Sequence, residues 1–156
     1  MITLVPSSIK KIKIEKAIMN SNPTFNYIST GTQYLRDEDI AKDHAEDLHI
    51  QKERYLTKKN DEYVGILEYT MENPNDQMPW LGLLVVNQNS QNKGIGREIY
   101  RIYEEEMRKR NVNEIRLGCM AENLIGLSFW EKQGFNKYKE MQYNERLMYG
   151  LKKLLL

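Results

Sequence analysis

The sequence contains a single cysteine, Cys119, among its 156 residues. Neither an intrachain disulfide nor a metal site built from several cysteines is therefore possible within one chain. Cys119 alternates with Ile115 and Leu117 in a segment with the periodicity of a strand. This pattern predicts a buried thiol that packs as a small hydrophobic group, and it argues against a nucleophilic role.

Long hydrophobic runs and an excess of either charge are also missing. The 23 basic and 22 acidic residues leave a net charge of +1, so we expect no nucleic acid as a partner. No apolar stretch approaches the length that spans a bilayer, so we expect no membrane association. The first eight residues lack the basic start and apolar segment of a secretory signal, which predicts a cytoplasmic protein. The length predicts one domain over residues 1–156.

The pattern of apolar residues and turn signals alternates strands with helices, which predicts an α/β or α+β fold with a mixed sheet between helices. Asn22-Pro23 to Thr32 has the composition of a loop. The predicted strands cover residues 2–5, 53–58, 63–71, 80–86, 114–120, 135–143 and 146–151. The predicted helices cover residues 9–20, 36–49, 94–110 and 124–133.

Two glycines stand in the stretch Gln91-Asn92-Lys93-Gly94-Ile95-Gly96, between the apolar strand of residues 80–86 and an amphipathic helix. Glycine lets the backbone turn tightly and approach a ligand, and main-chain N–H groups at a helix start favour phosphate. The sequence excludes two phosphate loops. No Gly-Lys-Ser/Thr of a P-loop occurs, and Ile99 stands where a dinucleotide loop requires its third glycine.

A second informative stretch, Asn-Leu-Ile-Gly-Leu-Ser-Phe-Trp-Glu-Lys-Gln-Gly-Phe, occupies residues 123–135. The glycine loop resembles the Gln/Arg-x-x-Gly-x-Gly/Ala signature of the GNAT superfamily of acetyl-CoA-dependent N-acetyltransferases. The second stretch is similar to that family's Asn-x-x-Ala-x-x-Phe-Tyr-x-Lys-x-Gly-Phe, with Gly126 in place of alanine and Trp130 in place of tyrosine. The resemblance covers residues 63–150.

The resemblance implies a mixed, mostly antiparallel central sheet flanked by helices, with acetyl-CoA as cosubstrate and no metal. It implies acetyl transfer to a primary amine of a small molecule or peptide, directly in a ternary complex. The acceptor side would be built from the amino-terminal helices and the last strands. A homodimer is common in such folds, and nothing in the sequence decides for or against it.

The cofactor residues that the resemblance implies lie on the strand before the loop, on the loop itself and at two helix ends. The strand would line the pantetheine arm and the loop would hold the pyrophosphate. These residues are Leu84, Val85, Val86, Gln91, Asn92, Lys93, Gly94, Ile95, Gly96, Arg97, Asn123 and Lys132. Arg97 opposes the dipole of the helix that it begins, which a bound anion would explain. Helix capping alone would explain Asn123. A favourable position for a cation near a helix C-terminus would alone explain Lys132.

The predicted catalytic residues are Glu68, Trp130 and Tyr143. Glu68 shares a strand face with apolar neighbours, so its carboxylate needs either a partner or a task such as general base. Many relatives have a tyrosine at the position of Trp130 that protonates the departing sulfur, whereas an indole N–H has no accessible proton to give. Trp130 is either a core aromatic or a hydrogen-bond donor. The thiolate then either leaves stabilised by hydrogen bonds or takes a proton from Tyr143, Tyr138 or Ser128.

Several alternatives remain open from the sequence. Gly82 marks either a bulge or close packing in its strand. The acidic residues of 37–47 either attract a cationic amine electrostatically or form the solvated face of a helix. For the whole chain, the alternatives to an enzyme are a non-catalytic CoA-binding module and an unrelated interaction domain.

Overall fold

The computed structural model describes residues 1–155, with the side chains of residues 47 and 48 outside the description. Its strands are β1 (Thr3–Pro6), β2 (Glu53–Lys59), β3 (Glu62–Thr70), β4 (Trp80–Val86), β5 (Glu114–Met120), β6 (Asn136–Tyr143) and β7 (Arg146–Leu154). Its helices are α1 (Ile12–Asn20), α2 (Pro23–Thr30), α3 (Asp37–Ile50), α4 (Ile95–Lys109) and α5 (Leu124–Lys132). The strands form one sheet in the order β1-β2-β3-β4-β5-β7-β6.

One segment differs in kind from its prediction, because the expected loop over residues 22–32 contains helix α2. Pro23 occupies the first turn, where its fixed φ suits a helix and its missing N–H costs nothing. Gly31 ends the helix in the left-handed conformation, with φ 82°. The prediction gave weight to the turn-forming composition and missed these two helix signals.

The sheet is antiparallel at every strand pair except one. β4 and β5 run parallel and are in register at a single pair, Trp80 with Arg116. Beyond that pair the two strands diverge, which opens a cleft in the middle of the sheet. The predicted fold class, a mixed and mostly antiparallel sheet flanked by helices, is confirmed.

Helices cover both faces of this sheet. On one face, α4 buries Ile99, Tyr103 and Met107 against the strands, as its apolar stripe predicts. On the other face, Ile18 and Met19 of α1 pack in a second, smaller cluster. Burying each large apolar side chain stabilises the fold by roughly 1.5–3 kcal/mol. The two clusters hold the diverging strands between two helical layers.

Strand β4 carries a bulge at Gly82. Glu68 pairs with Leu83 and Tyr69 with Leu81, so Gly82 has no opposite residue on β3. Close packing also applies, because a Cβ at Gly82 would lie 2.9 Å from Oε1 of Glu68. Both explanations of this glycine therefore hold.

Within residues 1–155, no helix has the length and apolar character that crossing a membrane requires.

Candidate functional site

The cleft between β4 and β5 exposes main-chain groups of β4. Asn87 N donates to Val64 O at 2.7 Å, which makes this a hydrogen-bonded pair of the antiparallel ladder. Hydrogen-bonded and non-bonded pairs alternate, so Val85 also bonds to β3, while Leu84 and Val86 direct their N–H and C=O groups toward the cleft. The structure thus places the predicted strand residues along the cleft, with Leu84 and Val86 as those that could contact a ligand through their main chain.

The glycine loop follows β4 and begins helix α4. Asn92 and Gly94 both have left-handed backbones, with φ values of 62° and 78°. Among the described residues, apart from its neighbours in the chain, no heavy atom lies within 4 Å of the position that a Cβ on Gly94 would take. Ile95 is buried in the core, and a Cβ on Gly96 would lie 3.4 Å from the ring of Phe129. Gly94 therefore leaves the helix start open to a ligand, whereas Ile95 and Gly96 pack the helix onto the protein.

Gln91 turns its side chain toward the protein and away from solvent. Its Nε2 donates to Asn22 Oδ1 at 2.6 Å and to Val86 O at 2.9 Å. The Val86 carbonyl also accepts from Asn22 Nδ2 at 3.0 Å. The Gln91 side chain thus holds the loop to the end of β4, and only its main chain remains placed to contact a ligand. Lys93 lies exposed on the loop, where its Nζ donates to Asn89 O at 3.3 Å.

A basic groove of about 470 Å³ lies between α4 and α5. It is lined by Arg97, Tyr100, Arg101, Glu104, Lys132, Gln133 and Lys153. Lys153 pairs with Glu104 at 2.6 Å. In the described part of the chain, Arg97, Arg101 and Lys132 have no carboxylate partner. The groove starts at the first turn of α4 and carries unneutralised positive charge, which suits an anion. Arg101 was not predicted, although its spacing of four from Arg97 places both on one helix face.

Asn123 caps helix α5, and its side chain leaves no room for a side chain at position 126. Its Oδ1 accepts from Gly126 N at 2.9 Å. A Cβ on Gly126 would overlap the Asn123 amide, so the glycine that replaces the family's alanine fits this side-chain position. The capping explanation of Asn123 is present in the structure, and a cofactor contact stays a prediction.

Trp130 is a core residue, which agrees with the core alternative for it, and a catalytic role of its indole stays a prediction. Its side chain is 8% exposed and contacts Tyr100, Phe129 and Phe135 edge-to-face, with centroids 5.7, 4.9 and 5.4 Å away. Such pairs are favourable aromatic packing. The aromatic cluster encloses the indole on several sides, so packing is sufficient to explain a large aromatic residue at this position.

Tyr143 lies at the end of the β6–β7 hairpin, with 49% of its surface exposed. Its cross-strand partner is Arg146. Arg146 donates to the carbonyls of Tyr27 and Ile28 at 2.5 and 2.8 Å, near the end of α2. The hairpin is thereby fastened to α2, and Tyr143 stands on the rim that these two elements form.

Glu68 has partners, and they belong to a buried ion network that the sequence did not predict. Arg54 bonds both Glu68, through Nη1, and Glu15, through Nε at 2.6 Å. Lys52 Nζ lies 3.2 Å from Glu68 Oε1, and His44 bonds to Glu15. The only available signal was the pairing of two adjacent strands that sets Arg54 opposite Glu68. Glu15 and His44 come from α1 and α3, and no local sequence pattern predicts that they join the network.

The acidic residues at the start of α3 are paired in the structure. Asp37 bonds to Lys16 at 2.7 Å and Asp39 bonds to Arg36. These hydrogen bonds lower the pKa of Asp37 and that of Asp39 below their usual values. For these two residues, this agrees with the solvated helix rather than with free carboxylates that would attract a cationic amine. The side chain of Asp47, at the end of the acidic run, lies outside the described residues.

Burial of Cys119 raises the pKa of its thiol to about 11. The reactive thiolate is the deprotonated form, so at pH 8 only about one thiol in a thousand would be ionised. We expect Cys119 in the folded protein to resist alkylation by iodoacetamide at pH 8 and to react faster as the pH approaches 11. Mass spectrometry of native and urea-unfolded samples checks this result. Equal labelling in both states would contradict the burial.

The described residues contain no group of three or more His, Cys, Asp and Glu side chains placed to hold a metal ion.

Comparison with known proteins gives one curated relative and many solved structures. The uncharacterized protein YxbD from Bacillus subtilis (strain 168) is 29% identical over 80 residues, which are 51% of this chain and 47% of YxbD. The matched segment therefore spans about half of that relative. A crystal structure of an acetyltransferase from Thermus thermophilus aligns with a TM-score of 0.82 and 20% identity, over 99% of this chain and 97% of that one.

A spermidine N-acetyltransferase from Vibrio cholerae, in complex with CoA and spermine, aligns with a TM-score of 0.72 and 16% identity, over 98% of this chain and 95% of that one. At these identities the structural likeness shows the fold. The family is shown by a sequence model of the acetyltransferase (GNAT) family, which matches residues 17–135 and so includes the cleft strands and both signature stretches. On this match and on the geometry above, the chain belongs to the GNAT acetyltransferase family.

Proposed function

We propose that this protein transfers an acetyl group from acetyl-CoA to a primary amine of a small molecule or peptide, directly within a ternary complex. The observation that carries the proposal is the joint placement of the β4–β5 cleft and the open glycine loop at the start of α4. One ligand lying along Leu84 and Val86 and ending at Gly94 would meet main-chain groups first and an anion-binding helix start second. This order matches the uncharged arm and the phosphates of acetyl-CoA.

The basic groove extends the same site. A phosphate at the loop would have Arg97 within the same helix turn, and Lys132 and Arg101 further along the groove. Cations without carboxylate partners are available for charge-assisted hydrogen bonds to a phosphate. We therefore assign the adenosine end of the cosubstrate to this side of the protein, together with Asn92, Lys93 and the loop main chain.

The chemistry requires a neutral amine, since only a free lone pair attacks the thioester carbonyl. An alkylamine has a pKa near that of lysine, ~10.4, so a proton must leave at neutral pH. The new C–N bond forms as the carbonyl becomes an oxyanion, which cleft-facing N–H groups of β4 would stabilise. The C–S bond then breaks, and the thiolate leaves with stabilisation by hydrogen bonds or takes a proton from a donor on the rim, for which Tyr143 is our proposal.

Glu68 is our proposed acceptor of the amine proton, through a water molecule. Gly82 is exposed to solvent, and its missing side chain leaves the Glu68 carboxylate directly beneath the bulge. Because the carboxylate is bonded to Arg54 and Lys52, we expect it to act as a modest base. Glu68→Gln should lower kcat about ten- to a hundredfold, which is at or below the low end of what general bases usually contribute. The variant should also show a weaker fall of kcat at low pH than the wild type.

The test of Glu68 includes its stability, because the side chain belongs to the ion network. Thermal unfolding of Glu68→Gln separates lost folding from lost chemistry. An unchanged pH profile in a folded variant would remove Glu68 from the mechanism and leave it a structural ion.

The proposed function is tested by calorimetric titration of the protein with acetyl-CoA, followed by thiol-release assays over a panel of amines. The panel contains polyamines, aminoglycosides and short peptides with free amino termini. Saturable binding together with thiol release for at least one amine supports the enzyme. The absence of acetyl-CoA binding would overturn the proposal.

A second candidate is a non-catalytic acetyl-CoA or CoA-binding module. Two observations favour it: Trp130 stands in the core at the position of the family's tyrosine, and Glu68 is bonded to cations. It predicts binding of acetyl-CoA without thiol release for any amine of the panel.

A further inference from the structure

The turn between α1 and α2 is bonded to the segment that carries the cofactor loop. Asn22 donates to the Val86 carbonyl at 3.0 Å and accepts from Gln91 Nε2 at 2.6 Å. Its neighbour Ser21 accepts from Gln88 N at 3.0 Å. We call these three contacts the turn–loop link. They join an amino-terminal helical turn to residues more than sixty positions away in the sequence.

Both ends of the Asn22 side-chain amide have hydrogen-bond partners, within the turn–loop link and within its own turn. The side chain is buried, with 8% of the residue exposed, and its Nδ2 also faces Ile18 O and Ser21 Oγ, each at 3.2 Å. Turning the amide over would set its oxygen against the Val86 carbonyl and its NH₂ against that of Gln91. The orientation is therefore determined by its partners.

The link also changes which atoms of β4 are available to a ligand. The Val86 carbonyl has two lone pairs, and the side-chain amides of Asn22 and Gln91 both donate to it. A ligand in the cleft would consequently find the N–H of Val86 and both main-chain groups of Leu84, and no acceptor at Val86.

We propose that Asn22 is a positioning residue that couples the cofactor loop to the acceptor side of the protein. This inference rests on the proposed function, in which acetyl-CoA occupies the loop. The turn that holds Asn22 leads directly into α2, whose end is fastened by Arg146 to the β6–β7 hairpin. A ligand that orders the loop would thereby order α2 and the rim. Coupling of this kind is reciprocal, so an acceptor bound at the rim would raise the affinity for acetyl-CoA.

Asn22→Ala tests the proposal, and Asn20→Ala is its matched control. Asn20 lies two residues earlier, and its amide donates to Leu35 O at 2.9 Å and accepts from Leu35 N at 2.8 Å and from Asn26 Nδ2 at 3.4 Å. Among the described residues it forms no hydrogen bond to residues 86–94. The first readout needs no ligand. Hydrogen exchange of the amides of residues 88–94 should be faster in Asn22→Ala than in wild type and unchanged in Asn20→Ala.

The second readout uses acetyl-CoA. Asn22→Ala should raise the dissociation constant of acetyl-CoA about tenfold, because the Gln91 amide and the Val86 carbonyl each lose a partner, whereas Asn20→Ala should stay within about twofold of wild type. Adding acetyl-CoA should slow exchange in residues 23–30 of wild type and not in Asn22→Ala. The effect of Gln91→Ala should be smaller in the Asn22→Ala background than alone, since the two side chains share one interaction.

The outcomes separate this inference from the proposed function. Unchanged exchange of residues 88–94 in a folded Asn22→Ala variant would overturn the link whether or not acetyl-CoA binds. Faster exchange there, with wild type showing no acetyl-CoA binding, would keep the link as a structural contact and overturn both the coupling and the proposed function. Equal losses of affinity in Asn20→Ala and Asn22→Ala would overturn the coupling alone.

Discussion

Gly94→Trp is expected to raise the dissociation constant for acetyl-CoA at least about a hundredfold, which corresponds to ~2.7 kcal/mol of binding free energy. The Cβ position of Gly94 has open space around it, so a side chain there would begin in open space at the start of α4. There it would cover the main-chain N–H groups that the proposal assigns to the pyrophosphate. Calorimetric titration measures the change.

The control is Gly94→Ala, because strain and occlusion must be separated. Gly94 has φ 78°, a conformation that costs any residue with a Cβ roughly 1–2 kcal/mol. Both substitutions carry this strain, and only the indole covers the loop. We expect Gly94→Ala to lose some stability and to keep most of its affinity. Equal losses of affinity in the two variants would show that backbone strain is responsible, and two unaffected variants would place the cosubstrate elsewhere.

Arg54→Met is expected to destabilise the folded protein by about 3–5 kcal/mol, the usual cost of removing one partner from a buried ion pair. The Arg54 side chain is 6% exposed and lies between the carboxylates of Glu15 and Glu68, which are 0% and 6% exposed. Without the guanidinium, each buried carboxylate would lose a cationic partner, with Lys52 still beside Glu68 and His44 still beside Glu15. Chemical denaturation with a linear extrapolation to zero denaturant measures the difference.

Arg36→Met is the control for this substitution. Arg36 also pairs with carboxylates, Glu38 and Asp39, but its side chain is 69% exposed. Water screens such pairs, so this variant should unfold near the wild-type midpoint. A similar stability of the two variants would mean that the network around Arg54 contributes no more than a surface pair.

The agreement between prediction and structure is closest where the signal is local. β4 and β5 have the predicted bounds, because a run such as residues 80–86 carries its apolar pattern and its turn signals in adjacent residues. The cap at Asn123 is local in the same sense. The loop expected over residues 22–32 was wrong because Pro23 and Gly31 were interpreted as turn residues, although the same two residues begin and end a helix.

The residues of the candidate site show the same difference between local and distant signals. The sequence located the glycine loop, the strand beside it and the basic residues Arg97 and Lys132, all of which lie within or next to recognisable motifs. It named Glu68 as a carboxylate that needs a partner, and it could not name Arg54 and Glu15, which arrive from another strand and from α1. Asn22 was missed for the same reason, since its bond to Gln91 closes a separation of 69 residues.

The sequence by itself determined the family, the fold class and the position of the glycine loop, because these depend on residue types at short and regular spacings. Only the tertiary structure decided that Trp130 packs in the core, that Glu68 belongs to a buried ion network, and that the Gln91 side chain faces the protein. Each of these depends on which distant side chains come within hydrogen-bonding or van der Waals contact. Burial and pairing are properties of the packed chain, and spacing along the sequence does not contain them.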